Sequence, residues 1–598
     1  MINHNNLPCI GIVGCGPRGL SALESLFKNA SLSKQQVKAL VFEETDQPGA
    51  GPVYDTGQPD TNWLNVAERA VDIWGRDETE FGDFTIPAFP PYQEWIGHNR
   101  KNHSALEPDY FPPRARMGQY LRERYESMAN VLEKQGLMTR IHGKVIGAKV
   151  GKTRILLEVL GGKSYDVDEA VLAIGHQPIQ LDGQLRSWQS VSLQMDGPTL
   201  FTDPYPIDSI LESDVLAKNG RIGVRGFGLA MIDVARALSI GRGGKFKLVD
   251  KDTRRMEYMA SGNEPIRIVP FSLDGLPMAP KPLNLKIDRP YVPSNEDKEQ
   301  YSNTVETALS DADSIKSTEF LIQAFSPLVA RIYCSPKMDR LDMMLDTKDV
   351  RDLTIAWLRD DNFTHRAILP KDMNVVEMME RFCAMATGNG KVSLDYCIGH
   401  VWRHCQPTMY KLLSFASLND VIIAKIVALD ERLKRYSYGP PIDSLQQLLA
   451  LERTGILDLS FVKAPDIDLN EAGWSLKVAK NEITVETMIN SVLDSPQILK
   501  AAEPLPKGLI NGADVEPLHD KLGIRTKQDA LVEFENRDAS YPLSVLGRLA
   551  KGTLIGVDAI AECFGVRSEL WAQGVIARLG KGTVTEEGEV MDNAKEPL

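Results

Sequence analysis

The sequence lacks a hydrophobic run long enough to cross a bilayer. No stretch of about 18 apolar residues, the length that a transmembrane helix needs, occurs anywhere in the chain. The segment from Met1 to Pro8 is polar and runs straight into the first apolar stretch, which leaves no room for the apolar core of a signal peptide. We therefore expect no membrane partner and a cytoplasmic location.

Paired cysteines are missing as well. The seven cysteines are scattered, and none stands in a Cys-x-x-Cys motif. An odd, dispersed set is typical of free thiols in a reducing compartment. It also argues against a disulfide reductase, which needs two paired thiols.

The chain has no excess of positive charge. Its formal net charge of -13 argues against a nucleic-acid partner, because neutralising phosphates requires a basic surface. The remaining composition, 43% hydrophobic and 25% charged, is ordinary for a globular protein. A chain of this length is sufficient for about two to four domains, and nothing in the sequence indicates an oligomeric state.

A glycine-rich turn follows the first apolar stretch. Ile10 to Val13 ends in Gly14-x-Gly16-x-x-Gly19, and apolar residues at helical spacing come next, a pattern that predicts a strand, a tight turn and a helix. In a dinucleotide-binding turn the first glycine permits the turn, the second lets the backbone approach a pyrophosphate, and the third lets the helix pack on the strand. The start of the helix then faces the phosphates.

An acidic residue follows at a suitable distance. A second apolar stretch, Val37 to Phe42, ends at Glu43 and Glu44. Glu43 lies about 24 residues after Gly19, where a ribose 2′-hydroxyl needs an acceptor. We assign Glu43 to that role, and a glycine-rich turn without a ligand remains the alternative.

A second, weaker motif of the same kind comes later in the chain. Gly226-x-Gly228 follows an apolar stretch, but Met231 replaces the third glycine. The motif predicts a nicotinamide nucleotide site, with a degenerate site or a purely structural turn as alternatives. The next predicted strand, Ile266 to Phe271, exits into Leu273-Asp274, whereas NADP-preferring sites usually have an arginine at this exit. The pattern favours NADH over NADPH, or no nicotinamide at all.

The sequence from Arg289 to about Pro504 is mostly helical in pattern. Near the C-terminus the pattern predicts a strand, a glycine turn and then a helix starting near Ile555.

A cluster of possible metal ligands lies within the helical part. Cys397, His400 and His404 share one face of a helix, and Cys405 follows. The adjacent glutamate of a zinc protease and the second cysteine pair of a zinc finger are both missing. We therefore expect a packed helix face and no metal, with a metal site as the alternative.

Further short motifs occur in order along the chain: Gly49-Ala-Gly51 with Tyr54, Leu64-Asn65-Val66, Ala173-Ile-Gly-His176, Gly243-Gly-Lys-Phe246, Ser261-Gly-Asn-Glu-Pro265, Tyr438-Gly-Pro-Pro441, and Gly547-Arg548 with Lys551-Gly552 and Asp558. Together with the first glycine motif they resemble the bacterial FAD/NAD(P)-binding protein family, from Pro8 to about Trp571. That family is similar to single-component flavin N-monooxygenases, including aspartate hydroxylases that form nitrosuccinate.

The resemblance implies an α/β fold, namely a two-dinucleotide-binding, Rossmann-like flavoprotein with a large, mainly helical insertion. Residues 1–205 would form the first part of an FAD-binding domain, and residues 206–288 an NAD(P)-binding-like domain. Residues 289–504 would form the helical insertion, which would close over the substrate. Residues 505–598 would return to the FAD-binding domain.

The resemblance also implies site residues. Those that would hold the FAD pyrophosphate and ribose are Gly14, Gly16, Pro17, Gly19 and Glu43. Those that would lie around the flavin are Asn65, Gly175, Gly547 and Asp558, with Gly226 and Gly228 near the nicotinamide cofactor. Relatives often carry Ser-Arg-x-Gly where this chain has Ser272-Leu-Asp-Gly275, a departure that again argues against NADPH.

The resulting prediction is an FAD-dependent oxidoreductase, specifically an NAD(P)H-dependent monooxygenase. It would hydroxylate a small polar substrate, with an amine as the candidate, through a flavin C4a-hydroperoxide. Asn65 is assigned the catalytic role of hydrogen-bonding the oxygenated flavin. One alternative is a flavin dehydrogenase or reductase without oxygen transfer, and the other is a non-catalytic flavin-binding redox sensor with a degenerate nicotinamide site.

Overall fold

The first glycine motif lies at the centre of a parallel sheet. β1 (Cys9–Val13) has β2 (Lys38–Glu43) on one side and β9 (Glu169–Leu172) on the other. Beyond these lie β5 (Met138–His142) and β19 (Leu543–Val545), so that the order is β19-β9-β1-β2-β5 with every pairing parallel. The chain therefore returns near its C-terminus to the sheet that it begins.

The computed structural model describes residues 7–97, 104–195, 197–213, 220–493, 496–512, 515–534 and 541–582. Most of the predicted polar N-terminus therefore lies outside the described residues. The same is true of the end of the predicted C-terminal domain, beyond residue 582.

Helices cover one face of the first sheet. α1 (Pro17–Leu32) packs against α16 (Val566–Gly582), whose Trp571 is fully buried. The buried apolar positions of α1 recur at the spacing of one helical face. The other elements of this part of the chain are β3 (Thr79–Phe81), β4 (Phe84–Ile86), α2 (Tyr92–Trp95), α3 (Arg114–Lys134), β6 (Val145–Val150), β7 (Ile155–Val159) and β8 (Ser164–Val167).

The second glycine motif lies in a second parallel sheet. β11 (Arg221–Arg225) pairs with β14 (Arg267–Phe271) and β18 (Thr487–Asn490), and β10 (Thr199–Phe201) pairs with β18. α6 (Leu229–Ser239) follows β11 directly. Two strands of this sheet, β10 and β18, lie outside the range 206–288 that the sequence indicated. The remaining elements nearby are α4 (Gly183–Ser192), α5 (Ile207–Leu211), β12 (Lys245–Leu248) and β13 (Met256–Met259).

The predicted helical region is helical only as far as Arg453. A short helix, α7 (Leu285–Asp288), directly precedes the region. The helices within it are α8 (Asn295–Leu309), α9 (Glu319–Tyr333), α10 (Thr347–Arg359), α11 (Val375–Ala386), α12 (Leu394–Leu413), α13 (Asp420–Ser437) and α14 (Ile442–Arg453). After them come strands where helix was expected: β15 (Asp466–Asn470), β16 (Gly473–Val478), β17 (Asn481–Val485) and β18. Exposed and half-buried residues alternate along β15, which is the period of a strand covered on one face.

The helix predicted near Ile555 is wrong. Residues 555–560 are irregular. A single 3-10 turn (Ala561–Phe564) follows, and the next α-helix is α16. The preceding α-helix, α15 (Pro504–Gly512), lies well before this stretch. Ile555 and Val557 are nevertheless 1% and 3% exposed. The apolar pattern of this segment reflects a buried irregular stretch, which periodicity does not distinguish from a short helix.

Candidate cofactor and active site

Two of the three glycines of the first motif, Gly14 and Gly19, are fixed by close backbone packing. Gly14 has φ +83°, and its amide donates a hydrogen bond to Phe42 O at 2.9 Å. A Cβ on Gly19 would lie 2.1 Å from Gly14 O. This turn and this approach of helix to strand are therefore accessible only to glycine.

The start of α1 is open to an anion. Gly16 is the N-cap in extended conformation, Pro17 occupies the first turn, no side chain caps the helix, and the first turn contains no acidic residue. The first N–H groups of a helix need external partners, and the helix dipole favours a negative one. The residues present therefore fit a pyrophosphate at this place.

Glu43 lies beside this turn at the end of β2. Its Oε2 accepts a hydrogen bond from Cys15 N at 2.8 Å, and its Oε1 accepts from Thr45 N at 3.0 Å and from Thr45 Oγ at 2.8 Å. Glu44 instead lies 3.6 Å from Lys144 Nζ on the surface. The structure thus places Glu43, the residue selected from the sequence, next to the turn, and its carboxylate keeps lone pairs for a ribose hydroxyl.

A second glycine loop packs on the first. Gly49 N donates to Cys15 O at 2.6 Å, and Gly51 has φ +64°. A Cβ on Gly51 would lie 3.1 Å from Gly16 Cα. The sequence indicated this loop only as one motif of the family resemblance, because nothing local shows what it packs against.

Three of the residues predicted around the flavin come together. Gly175 and Arg548 line the same small cavity, and Arg548 follows Gly547 in the chain. Arg548 NH1 lies 2.7 Å from Asp558 Oδ1. Gly175 has φ +65° and open space where a Cβ would stand. The region therefore offers an uncrowded backbone next to a charged cluster.

Asp558 is surrounded by cations. Its Oδ2 lies 2.6 Å from Lys434 Nζ and 3.4 Å from Lys551 Nζ, in addition to the Arg548 pair. Burial raises the pKa of Asp558, but these three cations outweigh burial and hold it well below its usual range. Sequence reasoning missed Lys434, because it comes from α13 in the helical region.

Asn65 is connected to this cluster through Tyr438. Asn65 Nδ2 donates to Tyr438 O at 3.4 Å, and Lys434 Nζ lies 5.1 Å from the centroid of the Tyr438 ring. In the part of the chain that the structure describes, the side-chain oxygen of Asn65 accepts no hydrogen bond. Asn65 therefore retains an acceptor for a ligand.

The second glycine motif has the geometry of a nucleotide turn. Gly226 has φ +119° and donates its amide to Phe271 O at 2.8 Å. Gly228 is the N-cap of α6, again without a capping side chain or an acidic residue in the first turn. Met231, at the place of the third glycine, is 1% exposed and packs in the core. The turn therefore has glycine at the first two positions of the motif and a buried methionine at the third.

A cavity of about 900 Å³ adjoins this turn. Phe227, Gly228, Ser272 and Asp274 line it from the second sheet. Arg435, from α13, donates to Asp274, and Leu273 is 94% exposed. Residues of the helical region therefore line the other side of the cavity.

The possible metal ligands on α12 form a packed face. His400 is completely buried, with its ring 4.2 Å from that of Tyr396 and 5.3 Å from that of Tyr291. His404 Nε2 contacts Asp288 Oδ1 at 3.1 Å. The described residues contain no group of three or more histidine, cysteine, aspartate or glutamate side chains that could hold a metal ion.

Among the residues that the structure describes, no helix is long and apolar enough to cross a membrane.

The geometry of the first sheet and its glycine turn defines a dinucleotide-binding domain. Residues 11–177 match the model of the FAD-NAD(P)-binding family. The match includes the first glycine turn, Glu43, Asn65 and Gly175.

Known enzymes resemble a larger part of the chain. It is 25% identical to nitrosuccinic acid synthase npaA of Aspergillus oryzae, over 85% of this chain and 82% of that protein. It is 28% identical to an L-aspartate N-monooxygenase (nitrosuccinate-forming) of Streptomyces cremeus, over 44% of this chain and 42% of that protein. A crystal structure of OTEMO with FAD and NADP gives a TM-score of 0.45 at 11% identity, over 96% of this chain and 85% of that one.

The family match and the curated relatives confirm the predicted class. The chain is an FAD-dependent oxidoreductase related to the flavin N-monooxygenases. Which cofactor and substrate atoms each residue contacts stays a prediction.

Proposed function

We propose that this protein is an NAD(P)H-dependent flavin monooxygenase that oxygenates the amino group of a small amino acid. The observation that carries the proposal is the open helix N-terminus at Gly16, flanked by Glu43, in a chain similar to npaA over most of its length. In the reaction, R–NH2, O2, NAD(P)H and a proton give R–NHOH, water and NAD(P)+. Bound FAD supplies the electron transfer and oxygen activation.

The protein's own groups bind and orient the reactants. The first turn, with Gly14, Gly16 and Gly19, receives the pyrophosphate, and Glu43 receives the ribose. Gly175, Gly547 and Asp558 lie around the flavin ring. Three cations surround Asp558, and two of them also pair with Glu431. The cations outnumber these two carboxylates by one, which would favour negative charge on the ring. Asn65 would offer its side-chain amide to the flavin as a hydrogen-bond partner.

The nicotinamide nucleotide binds at Gly226 and Gly228 and extends into the cavity of about 900 Å³. NADH is the preferred donor, because Leu273 occupies the position from which an arginine would contact a 2′-phosphate, while Asp274 lines the cavity. The seven free thiols and this donor support a cytoplasmic location.

The first experiment is an absorbance spectrum of the purified protein, followed by anaerobic addition of NADH and then NADPH. We expect flavin bands that bleach faster with NADH. Absence of flavin after reconstitution would contradict the proposal. Bound flavin that neither nucleotide reduces, even with an amino acid present, would favour the redox-sensor alternative. Met231, which replaces the third glycine of the second motif, also favours that alternative.

The second experiment supplies ¹⁸O2 together with L-aspartate. We expect one labelled oxygen atom in the N-oxygenated product. Reduction of the flavin without label in any product would instead identify a dehydrogenase or reductase.

A further inference from the structure

A second cavity lies between the N-terminal domain and the helical region. Its volume is about 350 Å³, and apart from its charged residues it is lined mainly by proline, aromatic and aliphatic side chains. Its charged lining residues are Asp109, Arg254, Lys281 and Asp443. It does not include the turn at Gly228 and is therefore separate from the nucleotide cavity.

Three of the four charged residues already have partners of opposite charge. Arg254 binds both carboxylate oxygens of Asp443, at 2.8 and 2.6 Å. Asp109 accepts two hydrogen bonds from Arg69, at 2.5 and 2.7 Å. These pairs shape the wall and leave little charge for a ligand.

Lys281 differs from them. Its Nζ donates to Gly439 O, and within the described ranges it forms no ion pair with a carboxylate. Burial, reinforced by the nearby Arg403, lowers the pKa of Lys281 to about 7, against the opposing effect of Asp288. A buried ammonium group without a counter-charge is costly, and a carboxylate in the cavity would supply that charge.

The cavity adjoins the proposed flavin site. Lys281 Nζ and Asn65 Nδ2 donate to the carbonyl oxygens of two consecutive residues, Gly439 and Tyr438. Trp63, two residues before Asn65, lines the cavity, and the Arg236 guanidinium lies 3.7 Å from the centroid of its ring. This stacking fixes the part of the cavity wall that is nearest to Asn65 in the chain.

We propose that Lys281 binds a carboxylate of the amino acid substrate in this cavity and so directs the amino group toward Asn65. The inference rests on the proposed function and adds its substrate-recognition residue. The ammonium group forms a charge-assisted hydrogen bond with the carboxylate, so that amines without a carboxylate at this position bind poorly.

Lys281→Gln tests the proposal, because glutamine keeps a donor for Gly439 O and removes the charge. We expect at least a tenfold rise in KM for L-aspartate and in its Kd measured by calorimetric titration of the FAD-loaded protein. FAD content and the rate of flavin reduction in the absence of amino acid should stay unchanged. Lys281→Arg should restore part of the affinity.

Lys286→Gln is the matched control, since Lys286 is exposed in the same segment. Lys281→Met serves as a second charge-removing variant if Lys281→Gln fails to fold. β-Alanine and L-alanine, each lacking one carboxylate of L-aspartate, identify the group that is bound. The wild type should bind one of them much more weakly than L-aspartate, and Lys281→Gln should reduce this difference.

Equal KM and Kd in the wild type and Lys281→Gln would overturn the proposal, as would a wild type that does not bind L-aspartate. Binding of L-aspartate that depends on Lys281, without any N-oxygenated product, would support this site and contradict the proposed function. The two hypotheses can therefore fail separately.

Discussion

Asp558 Oδ2 lies 2.6 Å from Lys434 Nζ, although the two residues are 124 positions apart. The pair joins the C-terminal segment to α13 of the helical region at the edge of the predicted flavin site. Because both side chains are largely buried, the pair fixes these parts of the chain relative to each other.

Asp558→Asn should lower the free energy of unfolding by about 3 kcal/mol at pH 7, because three cations lose their buried carboxylate partner and the two lysines keep only the half-exposed Glu431. The folded-state pKa of Asp558 lies below its unfolded value. Its contribution is therefore complete above about pH 4 and is lost as the pH falls further. Urea unfolding at several pH values measures this, and a difference from wild type that does not shrink below pH 4 would contradict it.

Gly19→Ala should prevent normal packing of α1, because its Cβ would overlap Gly14 O. We expect a loss of about 1–3 kcal/mol in stability and a lower flavin absorbance per protein after reconstitution. Gly508→Ala is the control, since that glycine lies in α15 with open space around its Cβ position. The control should retain FAD and be equally or more stable.

Asn65→Ala tests the catalytic assignment. The variant should bind FAD and be reduced normally, but it should release more hydrogen peroxide and less N-oxygenated product per NAD(P)H consumed. Asn481→Ala, an exposed position on β17, should behave as wild type. Full retention of both FAD and coupled product formation in Asn65→Ala would show that this side chain has no role in the chemistry.

Leu273→Arg should shift the nucleotide preference toward NADPH. An arginine at this exposed position could contact a 2′-phosphate, and we expect the ratio of kcat/KM for NADPH to that for NADH to rise about tenfold. Leu193→Arg introduces the same charge at another leucine, 81% exposed and remote from the motif. A similar change in both variants would indicate a general charge effect.

His400→Phe should increase in stability relative to wild type as the pH falls, measured as the free energy of unfolding. Burial, assisted by Arg403, lowers the pKa of His400 well below its ordinary value, and neither ring nitrogen has a hydrogen-bond partner among the described residues. The unfolded chain therefore binds a proton below about pH 6.5 that the folded chain does not. Relative to wild type, the variant should gain about 1.4 kcal/mol for each pH unit below that value.

Chemical unfolding at pH 7.5 and 5.5 measures the His400 effect. His142→Gln, at a histidine with a largely exposed side chain, serves as the comparison. The same pH response in His400→Phe and wild type would refute the prediction.

The sequence by itself determined the local dinucleotide-binding units. The first unit, a strand, a tight turn and a helix, could be predicted from the glycines at 14, 16 and 19, the apolar run before them and the acidic residue at the end of β2. A tight turn and a close helix approach tolerate few residues other than glycine. Gly226 and Gly228 likewise predict the strand, turn and helix of the second unit. The relation to flavin N-monooxygenases also followed from motifs in order along the chain.

Only the tertiary structure decided which distant segments meet. Lys434 reaches Asp558, Lys281 shares a turn with Asn65, and β18 enters the second sheet from far along the chain. The apolar residues near Ile555 predict a helix, but they are buried in an irregular stretch that other segments cover. Local periodicity carries no information on such partners, since burial and charge pairing depend on residues more than a hundred positions away.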